Sequence, residues 1–173
     1  MIDAAAAVAR FAHSTRAFLD TLDGVTEQEW HHRPAGENWS PAEALEHVVL
    51  ADRGVYARLE RVLAAPFPAG SPRFDDAAIS ARMFDTAGPP PPDLAEPKGC
   101  FTMPADGVAA LIEVHDQIVA WARETKADLR AHGLRHPVFG VFDAVQWILF
   151  AAAHTDNHLP QLRALTAHSS STR

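Results

Sequence analysis

The sequence predicts an all-α protein, a four-helix bundle with a long Pro-rich crossover between its second and third helices. Three observations carry that expectation. Apolar residues return at i, i+3 and i+4 through four long stretches, no stretch alternates convincingly as a strand would, and prolines crowd the interval between the second and third stretches. At 173 residues the chain is of a size for one core; residues 1–167 are expected to form a single domain, followed by a flexible Ser/Thr-rich tail at 168–173.

The first helix is expected from about Asp3 to Leu22, with Val8, Phe11, Thr15, Phe18 and Leu22 on one face and Gly24 ending it. A short turn follows at Thr26–Trp30, where Thr26 and Glu29 have the spacing of a capping box. The second helix has the strongest start signal in the chain. Ser40 can cap it, Pro41 suits the first helical position, Glu43 completes the reciprocal box, and Pro66 and Pro68 stop it. Residues 66–104 then carry proline after proline, including the run Pro89–Pro92, with room for a short helix around Asp75–Phe84; so long a connection reads as a surface strap or a functional lid.

The third helix spans about Ala105–Lys126 and the fourth about Asp143–Thr166, separated by a Gly/Pro-punctuated loop at Gly133–Val141. Pro160 lies inside the fourth helix, removes one backbone bond and crowds the carbonyl of Asp156, so a local distortion is expected near His158.

Composition narrows the function classes. The formal net charge is −7 and basic residues do not cluster, which argues against nucleic acid as a partner. The longest apolar run, Trp147–Ala153, is far short of the ~20 residues that cross a bilayer, so no membrane association is expected. Asp3 precedes the Ala-rich opening and Arg10 follows it, the reverse of an export signal, so a cytoplasmic location is expected. Cys100 is the single cysteine, which excludes an internal disulfide and leaves a zinc–thiolate site without partners.

Histidines carry the chemistry. His154 and His158 are four residues apart, which places both imidazoles on one face of the fourth helix, at the margin of its apolar stripe. Such a pair can share an ion, although the spacing alone is a weak signal and favours two histidines without a metal. His47 falls off the apolar stripe of the second helix beside Leu50 and Gly54, and periodicity alone reads it as a solvated surface histidine; the small Gly54 would permit close approach by another segment. Three histidines with an open coordination position suit a catalytic zinc-type centre, and imidazole also suits nickel, iron and copper.

Other candidates are weaker. His115 lies on the third helix's apolar stripe and reads as a hydrogen-bonded core histidine. His31, His32, His132 and His168 sit near turns or ends and read as solvated, while His136, before Pro137, has a pocket role as its alternative. Trp30, Trp39, Trp121 and Trp147 read as core or boundary aromatics, Asp156 and Asn157 as solvent-facing, and Glu43 as a cap with a minor role orienting a ligand. A di-iron bundle requires Glu-x-x-His, which Glu43 and His47 miss by one residue, and no His-Glu-x-x-His occurs.

Several of these segments together resemble the DinB-like (damage-inducible protein) superfamily of metal-binding four-helix bundles. They are Trp39-Ser40-Pro41-Ala42-Glu43 leading to Leu45-Glu46-His47, the stretch Pro97–Phe101, His136-Pro137-Val138-Phe139-Gly140, and Trp147 followed by His154, His158 and Gln161. The resemblance implies a divalent metal, zinc or nickel, held by His47, His154 and His158. It also implies a small-molecule substrate and pairing into a homodimer. Characterised members include transferases that use low-molecular-weight thiols such as bacillithiol, and a mycothiol-dependent isomerase. Thiol transfer to an electrophile is therefore the leading expectation, ahead of metal-dependent hydrolysis and of a non-catalytic metal-binding stress or sensor bundle.

Overall fold

The computed structural model describes residues 1–37, 39–85, 96–137 and 139–167. It is predominantly helical. Six helices and one small hairpin occur among the described residues: α1 (Ala4–Leu22), α2 (Glu27–His31), α3 (Pro41–Val62), α4 (Asp76–Asp85), α5 (Pro104–Glu124), β1 (Leu134–His136), β2 (Gly140–Phe142) and α6 (Ala144–Ala167). The run Pro89–Pro92 and the tail 168–173 lie outside the described residues.

Local chemistry explains the helix starts. The Asp3 carboxylate accepts from the Ala6 N–H at 2.7 Å and caps α1. Both capping boxes form: Thr26 with Glu29 at α2, and Ser40 with Glu43 at α3, where Pro41 occupies the first turn. α6 continues through Pro160 to Ala167, so the bond lost there does not end the helix.

The long helices close on a common core. α1 packs against α6 and α5, α3 packs against α5 and α6, and α4 lies on α6. The interior is filled by Phe11, Phe18, Leu45, Leu111, Ile118 and Ile148, all fully buried. Arg58 lies over the Trp147 ring while His47 meets His158, so α3 and α6 run antiparallel. Leu45 abuts Gly107 and Arg53 pairs with Glu113, so α3 and α5 run the same way. A Cβ on Gly107 would lie 2.4 Å from Leu45 Cδ2, so glycine is what lets these helices approach so closely.

Two expectations need correction. The loop at Gly133–Val141 contains an antiparallel hairpin, with Leu134 opposite Phe142 and His136 opposite Gly140. Its strands are three residues long, too short for alternation to register, and Gly140 takes φ +95°, a conformation open to glycine. Gly54, in turn, has no other segment packed on it among the described residues. A Cβ there would meet only Arg58 of its own helix, at 3.2 Å.

One end of the molecule is tied by charge. Arg130 donates to both oxygens of Asp76, to Asp143 and to the carbonyl of Ile2, joining the N-terminus, α4 and the start of α6. The amide of Gln146 completes the cluster by donating to Asp76 and to the carbonyl of Phe74. This anchoring ties the start of α6, the helix that carries His154 and His158, to the N-terminal segment and to α4.

Candidate metal centre

The off-stripe face of α3 is covered after all. His47 lies on its second turn, 5% exposed, facing α6 across a groove beside the core. His154, 8% exposed, and the half-buried His158 enter the same groove from consecutive turns of α6. Ring centroids are 4.9 Å apart for His47 and His154, 4.6 Å for His47 and His158, and 4.7 Å for His154 and His158. His47 Nε2 and His154 Nε2 approach to 3.1 Å, and one ring nitrogen from each of the three lies within 4.8 Å of the others. Nitrogens bound to one ion at 2.0–2.1 Å would stand about 3.0–3.4 Å apart, so the closest pair already has that separation.

Protonation states suit ligation. Burial, and then the neighbouring His158 and His47, hold His154 well below the usual histidine range. Burial also lowers His158, partly offset by its bond to Gln161. Both rings are therefore neutral at pH 7, with a lone pair to offer. Gln161 Oε1 faces His158 Nδ1 at 3.0 Å; a carbonyl oxygen only accepts, so the proton sits on Nδ1 and Nε2 is left free to coordinate. The Nδ1 atom of His154 is buried with no hydrogen-bond partner among the described residues. Three imidazoles from two helices, two of them held neutral by burial, fit a borderline divalent cation, and these three residues could hold one.

Aromatic rings wall the cluster. Trp39 lies 4.7 Å from His47 and 5.8 Å from His158, ring to ring, and is only half-buried. Phe150 stacks on His154 at 6.0 Å. Reading Trp39 as a core or boundary residue missed this role; its one signal was its place immediately before the Ser40 cap, which aims it back across the first turns of α3. Trp30 and Trp147 are core residues, and Trp121 is half-buried.

His136 does not join the three. It is 5% exposed on β1, enclosed by Phe139, Phe142, Trp147 and Phe150 at 4.8–5.1 Å between centroids. Its Nδ1 accepts from the Phe139 N–H at 3.3 Å. Burial, with a smaller contribution from the positive Arg58, lowers its pKa to about 4. Phe150 touches both His136 and His154, so the hairpin and the histidine cluster share a wall.

The remaining candidates lie elsewhere. His115 is half-buried, stacks on Phe11 at 5.2 Å and bonds Asp116 through Nδ1, while its Nε2 is buried without a partner among the described residues, so it borders the core rather than lying within it. His31 and His32 are both exposed, His31 also bonding the Thr102 carbonyl, and the half-buried His132 bonds the Ala65 carbonyl. Asp156 pairs with Arg10 at 3.5 Å and is half-buried, as is Asn157, so both face solvent only in part. Glu43 is engaged by its cap and by Arg33. His168 lies outside the described residues.

Fold and site together define an all-α protein with a buried three-histidine cluster able to hold a metal ion. The chain belongs to the DinB superfamily, whose family model matches residues 10–162. It is similar to the uncharacterized protein YuaE of Bacillus subtilis (strain 168), 26% identical over 145 residues that cover 83% of this chain and 87% of that protein.

Proposed function

We propose that this protein is a divalent-metal-dependent enzyme that prepares a thiol or a water for attack on a small electrophilic substrate, in the manner of a low-molecular-weight-thiol S-transferase. The observation that carries the reading is the donor set. Two buried imidazoles and the half-buried His158 converge, and among the described residues no fourth His, Cys, Asp or Glu joins them. A storage or structural site would be closed by protein ligands, whereas three leave a position for a reactant.

His47, His154 and His158 would hold the ion, zinc or nickel, which when bound supplies Lewis acidity and lowers the pKa of a thiol or water beside it. Gln161 keeps the His158 proton on Nδ1 and so directs Nε2 inward. Trp39 and Phe150 exclude water from two sides of the cluster and stiffen its rings. The half-buried Phe150, which touches both His154 and His136, offers the apolar flank a small electrophile would rest against.

The same reading takes residues 1–167 as one domain and its four long helices as a four-helix bundle. Helices α3 and α5 run the same way, which supports a connection between them that crosses the length of the bundle. It also takes the protein as cytoplasmic and homodimeric, without nucleic-acid partners; no helix among the described residues is long and apolar enough to cross a membrane.

The test is metal analysis of untagged protein, followed by a thiol-transfer and hydrolysis screen with and without chelator. Stoichiometric zinc or nickel and chelator-sensitive transfer support the proposal. Turnover that persists through metal removal overturns it, and chelator-sensitive hydrolysis without thiol dependence reassigns the nucleophile to water.

A further inference from the structure

Glu46, beside His47 on α3, is only 2% exposed, yet it carries a carboxylate. Its surroundings explain how. Oε1 accepts from the Lys98 N–H at 2.8 Å, and Oε2 accepts from the N–H groups of Gly99 and Cys100 at 2.8 and 3.0 Å. The Cys100 thiol bonds to the same carboxylate. Three successive backbone donors can converge in this way because Gly99 takes φ +75°, which turns adjacent N–H groups toward one point. The chain beyond is fastened too. Trp30 Nε1 donates to the Phe101 carbonyl at 2.9 Å, and His31 Nε2 donates to the Thr102 carbonyl at 2.8 Å.

We propose that the backbone of Lys98–Cys100 is a carboxylate-binding nest, that the Glu46 side chain is its resident anion, and that this contact is a latch fastening the strap ahead of α5 onto the helix that carries His47. Every donor in the nest is an N–H and both carboxylate oxygens are used. An amide in place of the carboxylate must turn its NH2 toward at least one of these donors and also loses the charge. Lys98, Gly99 and Cys100 are exposed, so a released strap passes its N–H groups to water and opens without burying a penalty. The latch needs no bound metal.

Limited trypsin digestion of the full-length protein tests it, following cleavage after Lys98 by mass spectrometry. Charge-assisted bonds of this kind should hold the strap closed strongly enough that Glu46→Gln speeds this cut about tenfold or more. In Glu46→Ala the nest is vacated, and added formate or acetate should slow the cut again while chloride at equal ionic strength should not. A wild-type rate in Glu46→Gln, or equal effects of acetate and chloride in Glu46→Ala, overturns the proposal. If far-UV circular dichroism shows that either variant has lost its helices, Gly99→Ala reads the nest from the strap side with Glu46 intact. A Cβ at Gly99 meets no atom within 4 Å, so only the positive φ is penalised. Faster cleavage at Lys98 in that variant supports the latch, and an unchanged rate overturns it.

Discussion

Replacing His136 by phenylalanine should flatten the protein's sensitivity to acid. His136 titrates near 4 in the fold, because its ring is buried among Phe139, Phe142, Trp147 and Phe150 and Arg58 adds positive charge nearby. In the unfolded chain it titrates near 6.5. Between those values the unfolded state binds the extra proton, so stability rises with pH across that window. The contribution is complete above pH 6.5 and is lost as pH falls toward 4, and it amounts to about 3 kcal/mol. His154 and His158 are lowered as well and contribute with the same sign in both proteins, so comparison of the two isolates His136. The assay is urea unfolding of chelator-treated wild type and His136→Phe at several pH values from 7.5 to about 4.5, extrapolated to water. The wild-type advantage should shrink by most of that ~3 kcal/mol on acidification. A difference between the proteins that stays constant with pH would show that His136 is not held neutral by burial.

If the proposed centre is right, His154→Ala should weaken zinc or nickel binding by about 100-fold or more while leaving helical content unchanged, since a proposed ligand is lost and the core is not; competition with a chromophoric chelator measures the first and far-UV circular dichroism the second. Arg130→Ala strips the partner from Asp76 and Asp143, 6% and 1% exposed, and should cost about 3–5 kcal/mol, seen as a thermal midpoint lower by roughly 10 °C. A loss below about 1 kcal/mol would mean that Gln146 and Arg73 hold those carboxylates unaided. Asp52 is fully buried with neither oxygen partnered among the described residues, and burial raises its pKa well above the usual range. Whatever stability it contributes is present below pH 3.8 and lost as pH rises, so Asp52→Asn should gain on wild type from acid toward alkaline pH in denaturation series; a wild type that gains instead has the sign reversed.

What could be read directly from the chain was local. Ser40, Pro41 and Glu43 set the start of α3 through bonds that span three residues, and Thr26 and Glu29 do the same for α2, so nearby sequence contains the whole interaction. The hairpin escaped because its pairs, such as Arg135 with Val141, are individually too few to generate a period. Trp39 was legible only toward α3, where its place before the Ser40 cap aims it at His47; its other neighbour, His158, lies on α6, more than a hundred residues away, and no local signal announces it.

The histidines divide along the same line. Spacing alone puts His154 and His158 on one helix face, because 3.6 residues per turn admits no other placement. Amphipathic periodicity, by contrast, describes a single buried stripe per helix, and it left His47 in solvent. Only packing gives α3 a second covered face, through the antiparallel approach of α6. Helix type, boundaries and the paired imidazoles were thus properties of short stretches of chain. The meeting of Nε2 with Nε2 at 3.1 Å, and the loss of charge that burial imposes there, were decided by where the helices came to rest.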